Sequence, residues 1–300
     1  MKQHFVSLKF LAIFIISSLQ YQNVTAQKEV EHFCFAFITD IHVQAEKDAE
    51  KGFLQAIHHV NQSKPDFVIT GGDLVMDALE QKQGRADSLY QIYISASEQF
   101  KMPVYNTMGN HEVFGLYSNS GISPEHPFYG KKMFEKYIGK RYYSFDHKGW
   151  HFIILDCIGF TPERDYYGHI DSTQMEWIRQ DLATTDVNTP ICVSTHIPLV
   201  TVYTQLEEGS FATSSGGILI DNSLDVLKQF DHHNLKLVLQ GHMHFLESIY
   251  TGKTTFITGG AVCSGWWEGK IKGLEEGYLM IDINGDEFDW NYVDFGWEAK

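Results

Sequence analysis

The chain has 300 residues, 43% of them hydrophobic, enough to bury one large core or two small ones. Its formal net charge of −15 leaves no basic footprint for a polyanion, which excludes DNA or RNA as a long-lived partner. An anionic small substrate would have to be drawn by local cations and not by the global field.

The first residues carry Lys2 and Lys9, an apolar run from Phe10 to Ile16, and small residues ending in Val24-Thr25-Ala26. That is the layout of a secretory signal peptide, and the run is too short to span a bilayer. Residues 1–26 are therefore expected to be removed, leaving a domain over 27–300 that is secreted or periplasmic and has no membrane contact. The loss of two lysines and no acids takes the charge from −15 to −17. A lipid anchor would need a cysteine directly after the run, but Cys34 lies eight residues past Ala26. The other cysteines are Cys157, Cys192 and Cys263; all four sit in or beside apolar runs with no close-spaced pair. Buried free thiols are the expectation and one bridge the alternative.

Residues 33–39 read as a buried strand that ends at Asp40-Ile41-His42, and a helix is predicted over about 48–62 with Phe53, Ile57 and Val60 on one face. The strand 67–70 follows Pro65 and runs into Gly71-Gly72-Asp73. A second helix is expected near 84–100, burying Leu89, Ile92, Tyr93 and Phe100, and a strand over 103–107 leads into Gly109-Asn110-His111-Glu112. Strand, helix, strand, helix, strand at this spacing points to βαβ units and a parallel sheet.

Residues 113–141 read as a surface excursion with a short helix at 130–138, followed by a hairpin of 141–145 and 150–155. Asp171 with Gln174 resembles a capping box ahead of Met175, Ile178 and Leu182. The strand 191–195 ends at His196, residues 199–220 are loop-like, and a helix near 223–232 precedes the strand 235–239, which ends in Gly241-His242-Met243-His244. The tail alternates strand-like segments (247–250, 254–258, 277–283, 287–293) with glycine turns. Without repeats, low-complexity tracts or a linker, a single α/β domain is the simplest account.

The groups at the strand ends are Asp40, His42, Asp73, Asn110, His111, His196, His242 and His244, all nitrogen or oxygen donors suited to Mn, Fe, Zn or Co. Open α/β sheets place ligand sites at the carboxyl ends of their strands. Taken singly, a strand-end histidine is more often a capped surface residue, and Gly-Asn or Gly-His is an ordinary turn. Five strand-terminal groups in one chain are hard to explain as turns.

The order Asp-x-His, Gly-Asp, Gly-Asn-His-Asp/Glu, His, Gly-His-x-His resembles the calcineurin-like metallophosphoesterase superfamily over residues 34 to about 260. The resemblance implies a four-layer αββα sandwich with two central mixed sheets and a dinuclear metal centre above the strand ends. It places Asp40, His42 and His244 on one metal, Asn110, His196 and His242 on the other, and Asp73 between both. The implied reaction is hydrolysis of a small phosphoester, with a metal-bridged hydroxide attacking phosphorus in line and His111 steadying developing charge or protonating the leaving oxygen. Purple acid phosphatases, one branch, carry a tyrosine three residues after the bridging aspartate; here Met76 stands there, so no iron–tyrosinate colour is expected. Other branches carry at that position an aspartate that orients the histidine, and the nearest acid here is Asp77.

Trp266 and Trp267 follow the last ligand strand and could stack on a base or sugar or pack as core. His126, Arg164 and Tyr203 in the long loops are weaker candidates for substrate contact, while the pairs His58-His59 and His232-His233 read as non-ligands. The expected activity leans to small phosphodiesters, with cyclic nucleotides among them. A phosphomonoesterase or nucleotide phosphatase of the same fold and a non-catalytic metal-binding protein are the alternatives.

Overall fold

Residues 31–299 are described by the computed structural model, and the expected leader lies outside them. The elements in order are β1 (His32–Ile38), α1 (Ala49–Ser63), β2 (Phe67–Thr70), α2 (Gln83–Ser97), β3 (Val104–Asn106), α3 (Lys132–Tyr137), β4 (Tyr143–His147), β5 (Trp150–Ile154), β6 (Ile158–Phe160), β7 (Tyr166–Gly168), α4 (Ser172–Leu182), β8 (Pro190–Ser194), α5 (Tyr203–Glu208), α6 (Ser223–Lys228), β9 (Asn234–Gln240), β10 (Glu247–Tyr250), β11 (Thr255–Thr258), β12 (Gly277–Asn284) and β13 (Glu287–Asp294). One sheet has the order β13-β12-β1-β2-β3, with β1, β2 and β3 parallel. The other runs β10-β11-β9-β8-β5-β4, with β5, β8, β9 and β11 parallel.

The layers follow from the period of two along each strand. Phe33, Phe35 and Phe37 of β1, Phe67 and Ile69 of β2, Phe152 and Ile154 of β5 and Leu237 and Leu239 of β9 belong to one buried cluster between the sheets. The alternate residues Ala36, Ile38, Val68, Ile153 and Val238 belong to the cluster that holds the helix faces. Rings stack across the inner layer: Phe35 lies 5.0 Å from Phe67, and Tyr105 of β3 lies 3.6 Å from Phe145 of β4. This is the four-layer sandwich. Among the described residues no helix is long and apolar enough to cross a membrane.

Several expectations shift at their edges. α2 ends at Ser97, so Phe100 lies beyond it, and Tyr90 is buried where Ile92 is only half-buried. α6 stops at Lys228. The loop over 199–220 contains α5, and β6 with β7 form a small extra hairpin. Asp171 does cap α4 by accepting from the Gln174 amide at 2.8 Å. Gln174 does not reciprocate; its side chain binds the Asp156 backbone on both sides, at 2.9 and 2.6 Å. All four cysteines are free thiols, and Cys34 is half-buried where the other three are buried.

His151 of β5 ties the second sheet to α4, with Nδ1 2.7 Å from Asp146 and Nε2 2.8 Å from Asp181. Burial alone would lower its pKa, but the two carboxylates outweigh it and raise the pKa. A group with a raised folded pKa contributes its full stability below the unfolded value and loses it as pH rises through the folded one. The melting-temperature gap between wild type and His151→Gln should therefore be wider near about pH 6 than near about pH 9. An equal gap in thermal melts at both pH values would mean that the ring carries no charge in this pair of contacts.

Candidate metal centre

Each parallel strand hands its chain to the same rim. β1 leads to Asp40, β2 to Asp73, β3 to Asn110, β8 to His196 and β9 to His242. Five of the seven expected ligands sit at positive φ: Asp40 (54°), His42 (46°), Asp73 (51°), His242 (72°) and His244 (46°). Left-handed backbone at non-glycine residues is uncommon and costs energy. Here it turns the strand ends back so that side chains converge over the rim. Close approach also needs glycine: a Cβ on Gly109 would lie 2.2 Å from Asp73 Oδ1, and one on Gly72 (φ 91°) would lie 2.6 Å from His196 Nδ1.

Two donor sets result. In the first, His42 Nε2 lies 3.0 Å from His244 Nε2, and Asp40 Oδ1 lies 3.9 and 3.5 Å from those two nitrogens. In the second, His196 Nε2 lies 3.1 Å from Asn110 Oδ1 and 3.2 Å from His242 Nδ1. Asp73 Oδ2 is common to both, 3.5 Å from His42 Nε2 and 3.1 Å from His196 Nε2. All seven residues thus come together, with Asp73 where two sets meet. Each set combines nitrogen and oxygen donors in the way borderline first-row ions prefer. Two imidazole nitrogens at 3.0 Å need a shared proton or a cation between them, so the residues fit the expected pair of ions.

The outer nitrogens are fixed by backbone carbonyls, as in metal sites generally. His196 Nδ1 lies 2.8 Å from Gly71 O, His242 Nε2 2.7 Å from Gly217 O and His244 Nδ1 2.6 Å from Ser264 O. His42 Nδ1 is the exception, buried with no hydrogen-bond partner among the described residues. Cys263 groups with His42 and His244, but its sulfur lies 3.9 Å from the outer nitrogen of His244, the one that faces Ser264.

Buried charges shape the centre. Burial would raise the pKa of Asp73, but His196, His111 and His42 pull it well below the usual carboxylate range. Burial likewise works against a charged His196, yet Asp73 and Asp40 raise its pKa to about 9. Burial and the neighbouring His196 bring His242 down to about 3.

His111 lies over the centre, its Nε2 3.9 Å from Asp73 Oδ2 and its ring perpendicular to that of His42 at 4.6 Å. Its Nδ1 is held by the Met76 carbonyl. Among the described residues Asp77 makes no hydrogen bond to His111: its carboxylate accepts from the Leu79 amide at 2.7 Å and acts on the imidazole through space alone. The two tryptophans part company. Trp267 is buried, with its indole N–H on Ile41 O at 2.9 Å, so it is a packing residue and makes no substrate contact. Trp266 is 39% exposed, with its ring 4.7 Å from His244.

Arg164 donates to the carbonyls of Leu116, Gly115 and Ile122, which makes it a staple of the excursion and not a phosphate contact. His126 packs beside Phe114 and bonds Gln83, and Tyr203 pairs with Lys272. His58 and His59 bond Gln62 and Tyr278, respectively.

Glu112 was visible only as the last letter of its motif. Its buried carboxylate accepts from the amides of Asp73, Leu74, Val75 and Gly109 at 2.7 to 3.1 Å, clamping two ligand loops together. Burial and Asp73 push its pKa up to about 7, against the pull of those amides. Glu112→Gln turns one acceptor into a donor that faces N–H groups, leaving buried donors unpaired. A loss of about 2 kcal/mol or more is expected, with weaker metal uptake, readable by thermal melts and metal titration.

A family model for calcineurin-like phosphoesterases matches residues 34–246. A dimetal phosphatase from Danio rerio shares the fold with a TM-score of 0.60 at 13% identity, over 88% of this chain and 99% of that one. GAP50, the anchor in the inner membrane complex of Plasmodium, does so with a TM-score of 0.53 at 14% identity, over 90% and 86%. No curated protein sequence matches the chain. Identities this low speak for the fold alone, but the family match spans far more than half the sequence and includes the described ligand rim. The chain belongs to the calcineurin-like phosphoesterase family.

Proposed function

We propose that this protein is an exported, dimetal-dependent hydrolase of small phosphodiesters. One observation carries the reading: seven donors form two sets that meet at Asp73 Oδ2. Two cations held by these residues would supply Lewis acidity to the phosphoryl oxygens and acidify the attacking water. The donor chemistry suits Mn, Fe or Zn.

The chain's own residues do the rest. Asp73 neutralises charge for both sets at once. The Met76 carbonyl accepts from the Nδ1–H of His111 and so turns Nε2 toward the centre; a proton taken up from solvent on Nε2 makes the imidazolium, which can pass that proton to the leaving oxygen. The side chains of the two donor sets are histidines, aspartates and one asparagine, with no lysine or arginine among them. A monoester dianion brings an extra negative charge that such a rim leaves uncompensated, which favours the singly charged diester. Export rests on the layout of residues 1–26.

The test is hydrolysis of bis-p-nitrophenyl phosphate and p-nitrophenyl phosphate before and after chelation. Turnover should vanish with chelator, return with Mn²⁺ and be faster on the diester. The alternative is a metal holder without turnover, a reading that gives His111 nothing to do. Binding of two metal ions with no hydrolysis of any phosphoester would favour it.

A further inference from the structure

Two aromatic side chains flank the donor sets, one on each. Trp266 lies against the set of Asp40, His42 and His244, with its ring 4.7 Å from His244 and 6.4 Å from His42. Tyr166, on β7, stands perpendicular to His242 of the other set at 6.0 Å. Both are held in place by the backbone around them.

The turn around Trp266 has three non-glycine residues at positive φ: Ser264 (41°), Trp266 (54°) and Trp267 (67°). Trp267 rivets it, donating from its indole to Ile41 O and from its amide to Cys263 O at 2.8 Å. Its ring packs against Gly52 so closely that a Cβ there would come within 2.3 Å. Ser264 Oγ ties in both ends of the following loop, donating to Leu274 O and accepting from the Ile271 amide. Strain of this kind persists where surrounding structure over-determines it, and it clusters at ligand clamps. What it achieves here is the display of a large apolar ring to solvent beside the metal rim.

The hairpin of β6 and β7 is equally fixed. The Gly168 amide bonds Gly216 O at 2.6 Å, the Tyr166 amide bonds Asp165 Oδ1 at 2.8 Å, and Arg164 anchors the turn. Tyr166 is half-buried, yet among the described residues its hydroxyl has no hydrogen-bond partner. The hydroxyl is not cut off from water, so it is free to meet a ligand on the His242 side of the centre.

We propose that Trp266 stacks a planar aromatic ring of the substrate while the Tyr166 hydroxyl donates to a phosphoryl oxygen, so that the substrates are phosphodiesters carrying an aryl or nucleoside group. The inference rests on the hydrolase reading above and adds the substrate class to it. Stacking grips the ester's organic part through its flat face and needs no cationic side chain.

The test compares bis-p-nitrophenyl phosphate with methyl p-nitrophenyl phosphate, which share a leaving group and differ in the second ester. Wild type should prefer the aromatic diester, and Trp266→Ala should cut the kcat/KM ratio of the two by about tenfold, the scale of one aromatic stack. Tyr166→Phe should lower kcat/KM on both by about tenfold and leave the ratio in place. In the Mn²⁺-loaded protein, calorimetry should show phenylphosphonate binding more tightly than methylphosphonate, with the difference lost in Trp266→Ala. An unchanged ratio and unchanged phosphonate preference in Trp266→Ala would overturn the stacking role, and a Tyr166→Phe variant as fast as wild type would overturn the hydroxyl's. Absent turnover with a phosphonate preference that depends on Trp266 would sink the hydrolase reading and leave the ring-binding role standing.

Discussion

Asp73→Asn should yield a folded protein that no longer holds a metal pair and hydrolyses phosphoesters at least about 10³-fold more slowly, since a shared Lewis-acid site supplies several kcal/mol to the transition state. The expectation comes from position. Asp73 is 2% exposed, and its Oδ2 faces nitrogens of both donor sets. Its Oδ1 accepts from the His111 amide at 3.0 Å. An asparagine fits the same space and keeps one acceptor for that amide, so the two ligand loops should stay docked through Glu112. What disappears is the negative charge between two cations, whose mutual repulsion would then be unshielded in a buried site. Metal analysis should find about one ion per chain or fewer, while thermal melts stay cooperative. Two ions retained at full affinity would show that Asp73 is not the shared ligand, and the two-set geometry would lose its meaning.

How much of this was legible in the letters differs from residue to residue. The strand 67–70 reads out with its observed bounds because it is apolar on both faces and stops at two glycines. The ligands were legible for a related reason: each stands within a few residues of the carboxyl end of a strand, and parallel strands in one sheet end on one side. The convergence itself was not. Positive φ at five ligands is a tertiary outcome, imposed by contacts such as the His42 amide on Asp73 O and the His242 amide on Asp40.

Backbone carbonyls leave no letter either, so the supports from Met76, Gly217 and Ser264 could not be read, and Asp77 drew attention that belonged to its neighbour's carbonyl. Trp266 and Trp267 are the same letter twice. Only the turn geometry sends one into the core and the other out. Helix ends were the softest feature, because the residues over 98–100 and 229–232 keep helical composition after the hydrogen-bonded ladder has stopped.

His111→Ala should retain both metal ions and lose on the order of 10²–10⁴ in rate, the span typical of a single acid–base group. The side chain is half-buried and is not one of the seven assigned donors, although its ring nitrogen falls within 4.8 Å of the ligand atoms of His42 and Asp73; its removal opens the site and leaves the seven donors in place. Its one hydrogen bond, to the Met76 carbonyl, leaves that oxygen near solvent when the ring is gone. Stability should therefore move little, and metal content is the control that separates chemistry from assembly.

The ring's assignment as acid makes a sharper demand than a simple loss of rate. Protonation matters most when the departing oxygen is basic, so the penalty of His111→Ala should grow as the leaving alcohol changes from p-nitrophenol to phenol to an alkyl alcohol. A ring that only offers charge to the phosphoryl oxygens would cost the same for every leaving group. The slope of log rate against leaving-group pKa should accordingly be steeper in the variant than in wild type. Parallel slopes would reassign His111 to charge stabilisation, and a fall in bound metal would remove it from the chemistry and make it part of the frame that holds the ions.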